Sequence, residues 1–172
     1  MNGSKQYFGK YRGTVINNVD PEQRGRIQAM VTDVSGFSPS SWCLPCFPVT
    51  GKQMGAWWLP QIGTGVWIEF EQGDPVYPVW TGCWFGNAAE VPALALAAPP
   101  AVPNLVLQTA GQNTFLLSDL PGPAGGFLLQ CRPGGPLLMV NDTGITLSDG
   151  KGGMITIIGG VVTINQGALL IK

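Results

Sequence analysis

Short apolar runs recur through the C-terminal part of the chain, each followed by Gly, Pro, Asn or Asp. They are Phe115-Leu116-Leu117, Phe127-Leu128-Leu129, Leu137-Leu138-Met139-Val140, Ile145-Thr146-Leu147, Ile155-Thr156-Ile157, Val162-Thr163-Ile164 and Leu169-Leu170-Ile171. The pattern predicts seven short strands, their starts spaced 12, 10, 8, 10, 7 and 7 residues. In the runs with a central Thr, two apolar side chains fall on one face and a hydroxyl on the other, the period of a strand with one covered face. Each strand spans only about 10 Å, so stability requires stacking of many repeats. A linear meander has no second layer to cover its apolar face, whereas three identical chains about one axis cover it for each other. The predicted product is an intertwined homotrimer, a triple-stranded β-helix or β-prism needle. Its core residues are Phe115, Leu117, Phe127, Leu129, Leu138, Val140, Ile145, Leu147, Ile155, Ile157, Val162, Ile164, Leu169 and Ile171. Its stiffness is expected from β ladders between chains. The alternative, a small monomeric β-sandwich, ordinarily uses longer strands.

The N-terminal half alternates in longer segments. Tyr11 to Asn18 reads as a strand, Asn18 to Glu22 as a turn and Gly25 to Val34 as a second strand in which Ile27, Ala29 and Val31 point one way. Trp42 to Val49 reads as a third strand broken by prolines, Gly63 to Glu71 as a fourth and Val76 to Phe85 as a fifth. Five strands of this kind predict an OB-fold barrel. The expected organisation is a tail over 1–6, the barrel over 7–86, a Pro- and Ala-rich connector over 87–103 and the needle over 104–172. The connector carries four prolines among alanines and leucines. It is too apolar to float in water, and is expected to pack along a neighbouring subunit.

Composition agrees with an all-β chain: 25 Gly and 15 Pro among 172 residues leave little room for long helices. Only 11% of residues are charged and the net charge is −1, which gives no strong pull toward nucleic acid or an anionic membrane. Large apolar surfaces without a charged exterior point instead to burial in an assembly. The first residues show no apolar run and no cleavage site, so synthesis in the cytoplasm without a signal peptide is expected. The most apolar window, Val91 to Val102, is too short and too rich in proline to anchor the chain in a membrane.

Four cysteines include the pair Cys43-Leu-Pro-Cys46, with Cys83 and Cys131 apart from it. A zinc site lacks further ligands, since the chain has no histidine. A redox pair of the thioredoxin kind requires a helix start, and strand and turn sequence stands here instead. Buried thiols acting as small apolar groups are the expected reading, and no cofactor is expected.

The run Tyr11-Arg12-Gly13-Thr14-Val15, continued by Asp20-Pro21-Glu22-Gln23-Arg24-Gly25-Arg26-Ile27-Gln28, resembles the opening hairpin of the trimeric spikes of contractile injection systems. The stretch from Trp57 to Pro75 and the stretch Pro78-Val79-Trp80-Thr81-Gly82-Cys83-Trp84-Phe85-Gly86 are similar to the same family. So are Asn141 to Gly150 and Val162 to Leu169. The chain thus resembles, over nearly its whole length, the phage baseplate assembly protein V family, related to the spikes of type VI secretion and extracellular injection particles. The resemblance implies a structural needle in the baseplate of a phage tail or tail-like particle, held by a baseplate hub protein and driven through a cell envelope by sheath contraction. Some short spikes of the family end in a His-x-His repeat that binds iron, and a chain without histidine departs from that pattern. The resemblance then implies a separate, PAAR-like tip protein seated on Leu169, Leu170, Ile171 and Lys172. Loops at strand ends are the usual contact sites, which makes Arg24, Arg26 and Lys52 candidate hub contacts.

Two other function classes bear on the sequence. An OB-fold binding single-stranded nucleic acid is suggested by aromatics near Lys10, Arg12, Arg24 and Arg26, but a sequence pI near 5.2 and a needle-like second half argue against it. An enzyme is not expected: without histidine there is no Ser-His pair, and the ten carboxylates are scattered over turns. Asp119, Asp142 and Asp149 sit beside Gly-rich turns, where capping of backbone N–H groups explains them.

Overall fold

The computed structural model describes residues 5–171 and divides into two units, Met1–Ala88 and Ala89–Lys172. Among the described residues no helix is long and apolar enough to cross a membrane.

The first unit is built on five strands: β1 (Tyr11–Asn17), β2 (Gln28–Met30), β3 (Leu44–Pro45), β6 (Gly65–Phe70) and β7 (Pro78–Trp84), in the order β2-β1-β6-β7-β3. Pairing is antiparallel except for β3, which runs parallel to β7. A single bridge from Ile27 to Cys43, just ahead of β2 and β3, joins the two edges of the sheet and gives it its OB-like curl, and Met30 bridges Pro39 in the loop before β3. Strict alternation in β6 sends Val66, Ile68 and Phe70 inward, where they meet Val15, Ile27, Ala29, Val31, Cys43 and Trp80 in the core.

Two elements differ from the sequence reading. The second strand is only three residues long, because the chain turns into a one-turn helix, α1 (Thr32–Ser35). The third is two residues long: Pro45 and Pro48 lack the N–H groups a ladder needs. The chain then forms a small hairpin of β4 (Thr50–Gly51) and β5 (Met54–Gly55) turning at Lys52 and Gln53.

The second unit is one eight-stranded antiparallel meander, β8 (Asn104–Gln108), β9 (Thr114–Ser118), β10 (Gly126–Gln130), β11 (Leu137–Asn141), β12 (Gly144–Ser148), β13 (Met154–Ile158), β14 (Val161–Ile164) and β15 (Leu169–Ile171), each paired with its sequence neighbours. Eight strands replace the seven expected; β8, directly after Pro103, is the addition. The ladders therefore lie within the chain, which corrects the expectation that they run between chains. Tight turns cause this by returning each strand beside the last. The turn between β13 and β14 is Gly159-Gly160, with φ of 58° and 80°, the double left-handed conformation of a two-residue hairpin.

The connector lies on its own sheet. Leu94, Ala97 and Ala98 line one apolar crevice with Leu116, Leu128 and Met139, and the Asn104 side-chain amide donates to Ala95 O at 3.2 Å.

Candidate functional site: an uncovered apolar face

Ladder register settles which side chains of the meander share a face. Leu105 pairs with Leu117, Leu117 with Phe127, Phe127 with Val140, Val140 with Ile145, Ile145 with Ile157, and Ile157 with Val162. Beside this column runs a second one of Leu107, Phe115, Leu129, Leu138, Leu147, Ile155, Ile164 and Leu169. The two columns hold thirteen of the fourteen residues expected in the needle core, all but Ile171, together with Leu105 and Leu107, which the sequence reading missed. Backbone register places Ile171 opposite Val162. The side chains of Leu170 and Ile171, and the whole of Lys172, lie outside the described residues.

The opposite face is made by the alternate positions: Val106, Leu116, Leu128, Met139, Thr146, Thr156 and Thr163. Where these are apolar the connector covers them, and Leu116 and Leu128 are buried. Beyond the cover this face mixes Thr with Met154, Ile158 and Val161, and the Thr156 and Thr163 hydroxyls hydrogen-bond to each other.

The two-column face has no such cover. Leu107 is 61% exposed, Leu147 52% and Ile157 43%, whereas Leu116 on the opposite face is 6% exposed. None of the eight strands contains Asp, Glu, Lys or Arg; the charges Asp119, Arg132, Asp142, Asp149 and Lys151 sit in turns. Eight strands about 4.8 Å apart make an apolar strip roughly 34 Å long. A soluble monomer rarely leaves such a strip in water, and an uncharged strip of repeated, interlocking side chains fits copies of itself.

The first unit carries a different feature. The Asp20 carboxylate accepts the N–H groups of Glu22, Arg24 and Arg26 at 3.0, 2.8 and 3.2 Å. It also accepts Arg26 Nε and Nη2 at 3.0 and 2.7 Å. The Arg26 hydrogen bond, aided by the backbone N–H groups and opposed by burial, holds the Asp20 carboxyl well below the usual carboxylate range. The same bond raises the Arg26 guanidinium, and the Arg24 hydrogen bond lowers Glu22. Arg26, expected among the hub contacts, is instead largely buried, paired with Asp20 and stacked over the Trp42 ring. It ties the β1–β2 loop shut. Arg24 is exposed and paired with Glu22, and Lys52 is exposed at the β4–β5 turn.

The tryptophans divide by role. Trp80 is fully buried and its Nε1 donates to Gly25 O at 3.1 Å. Gly25 has φ of 78°, as its place at the loop exit requires, and a Cβ there would come within 3.1 Å of Phe47. Trp67 and Trp84 flank the Arg12 guanidinium, while Trp57 and Trp58 stand exposed beside Phe47. Of the cysteines only Cys43 is buried; Cys46, Cys83 and Cys131 are exposed, which corrects for Cys46 the expectation that the Cys43/Cys46 pair are buried thiols. Among the described residues no three His, Cys, Asp or Glu side chains come together as metal ligands would.

Two family models match the chain. A type VI secretion system/phage-baseplate injector OB domain matches residues 11–85, and a phage baseplate V C-terminal trimerisation domain matches residues 104–170. Among curated proteins nothing matches.

Proposed function

The chain belongs to the phage baseplate V family, and on that premise we propose that it is the central spike of a contractile injection machine, a rigid needle driven through a target envelope when the sheath contracts. Its all-β architecture, an OB-like domain followed by a trimerisation domain, is that of a homotrimeric baseplate component.

One observation carries the reading: the uncovered two-column apolar face. Three such faces turned to a common axis form a dry core lined by Leu, Ile, Val and Phe from each chain. Because the ladders lie within each chain, the form favoured is a prism of three packed sheets, joined through side chains. Inner strands are paired on both edges, so the shaft leaves few backbone groups open to rearrangement under load. The work is mechanical, and no reaction is assigned to the chain.

The barrels hold the baseplate hub, with Arg24 and Lys52 as exposed contacts. The end of the meander, at Leu169 and the residues after it, seats a separate tip protein. A reconstruction of the intact particle tests this. Three copies on the tail axis at the baseplate support the reading, and a peripheral position or a different copy number contradicts it.

A further inference from the structure

The five charged residues between 104 and 171 are sorted by sign to the two edges of the meander. Successive turns fall on alternate edges. One edge carries the β9–β10 turn with Asp119 and the β11–β12 turn with Asp142. These turns touch: the Asp142 carboxylate accepts the Gly122 N–H at 2.8 Å, and the Asn141 side-chain amide donates to Pro123 O at 2.9 Å. The other edge carries the β10–β11 turn with Arg132 and the β12–β13 turn with Asp149 and Lys151. They touch as well, since a Cβ at Gly150 would meet the Gly134 carbonyl oxygen at 2.5 Å. Asp149 is folded back on its own turn, where it accepts the N–H groups of Lys151 and Gly153 at 2.7 and 2.9 Å. Two carboxylates give the first edge a net charge of −2, and two cations less one carboxylate give the second +1. All five side chains are exposed, and among the described residues every ion pair lies in the first unit. Within one chain, therefore, like charges stand side by side and opposite charges stay apart.

We infer that a charged seam closes each corner of the trimeric prism, with Arg132 of one copy paired to Asp119 of the next and Lys151 to its Asp142. The inference rests on the trimeric spike reading and names the contacts at its corners. Threefold rotation joins sheets head to tail, so it sets the basic edge of every sheet against the acidic edge of its neighbour and never like against like. Along the stack, the Arg132 turn lies one strand beyond the Asp119 turn, and the Lys151 turn one strand beyond the Asp142 turn. Both offsets are about 4.8 Å in the same direction, which one tilt of the strands takes up and which long arginine and lysine side chains span. The seam supplies what the apolar columns lack. Leu, Ile and Val recur along the strip and do not fix which way up a neighbour stands, whereas an inverted neighbour would bring like edges together and be repelled.

Zero-length coupling of amines to carboxylates with a carbodiimide tests the seam on the full chain, with the solution mass of each sample measured alongside. Within one chain Lys151 and Asp142 stand on opposite edges, a five-residue strand of about 17 Å apart, so an amide between them joins two copies. Denaturing gels are expected to show products of two and three times 18.2 kDa, and peptide mass spectra to show Lys151 linked to Asp142. Lys151→Arg is expected to keep the trimer and lose that link. Arg132→Asp, which sets carboxylates on both sides of the seam, is expected to weaken the trimer by at least about tenfold in dilution series at low salt. Asp119→Arg combined with Arg132→Asp exchanges the two charges and is expected to restore it. A wild-type trimer without the Lys151–Asp142 link overturns the seam. So does an Arg132→Asp trimer as tight as the wild type, or an exchange variant as weak as Arg132→Asp alone. A monomeric wild-type mass overturns the spike reading itself, and the seam with it.

Discussion

Ile145 stands directly opposite Ile157 in the ladder between β12 and β13, and neither side chain is covered by its own chain, which leaves each about two-fifths exposed. Their partners must come from elsewhere. Replacing Ile157 by Asp would bring three carboxylates together in the trimer core, at a cost of roughly several kcal/mol for each unpaired charge. Light scattering is expected to show loss of the trimer for Ile157→Asp and its retention for Thr146→Asp, on the opposite face.

The Asp20–Arg26 pair predicts an acid limb to the stability of the first unit. The Asp20 carboxyl is depressed in the folded state, so its contribution is complete above the ordinary carboxylate range and is lost as pH falls through that range and below it. Thermal melts are expected to be flat near neutrality and to fall in acid. Asp20→Asn is expected to melt lower at neutral pH with a weaker acid dependence, and the amides of Glu22, Arg24 and Arg26 to exchange faster.

Trp80 fills the barrel core and hydrogen-bonds the loop carbonyl of Gly25. Trp80→Ala is expected to destabilise the first unit by about 3–5 kcal/mol, read from denaturant unfolding. Trp58→Ala, at an exposed site, is expected to change the stability of the folded chain far less.

Thiol titration separates the four cysteines. Cys46 and Cys131 are expected to react readily in the native protein. Cys83 is expected to react more slowly, since partial burial pushes its thiol up. Cys43, buried and 3.3 Å from the Ser40 hydroxyl, is expected to react only on unfolding.

What the sequence made legible was local alternation. The Ile-Thr-Ile period predicts fourteen residues on one face, and ladder register puts thirteen of them, Phe115 to Leu169, in two neighbouring columns. Leu105 and Leu107 alternate in the same way at the very start of the needle segment, but Pro103 directly before them obscures the run as a strand. Pairing partners were less legible. Turns as short as Gly159-Gly160 decide that ladders close within the chain, and an apolar face alone does not say which strand lies beside it.

Arg26 shows the same limit for the candidate site. A charged residue beside a Pro turn reads as surface, yet its partner Asp20 sits six residues earlier across the loop, and only the closed loop brings the two together. The cysteines resisted for a related reason: in a two-residue strand such as β3, alternation is too short to tell that Cys43 faces in while Cys46 faces out.

The central claim is that the uncovered face is the core of a homotrimer, and the solution mass of the purified chain tests it most directly. Three copies of an 18.2 kDa chain give 54.6 kDa, the single species expected from light scattering. A stable, soluble species of 18.2 kDa would contradict the account, since it would leave the strip from Leu105 to Leu169 open to water.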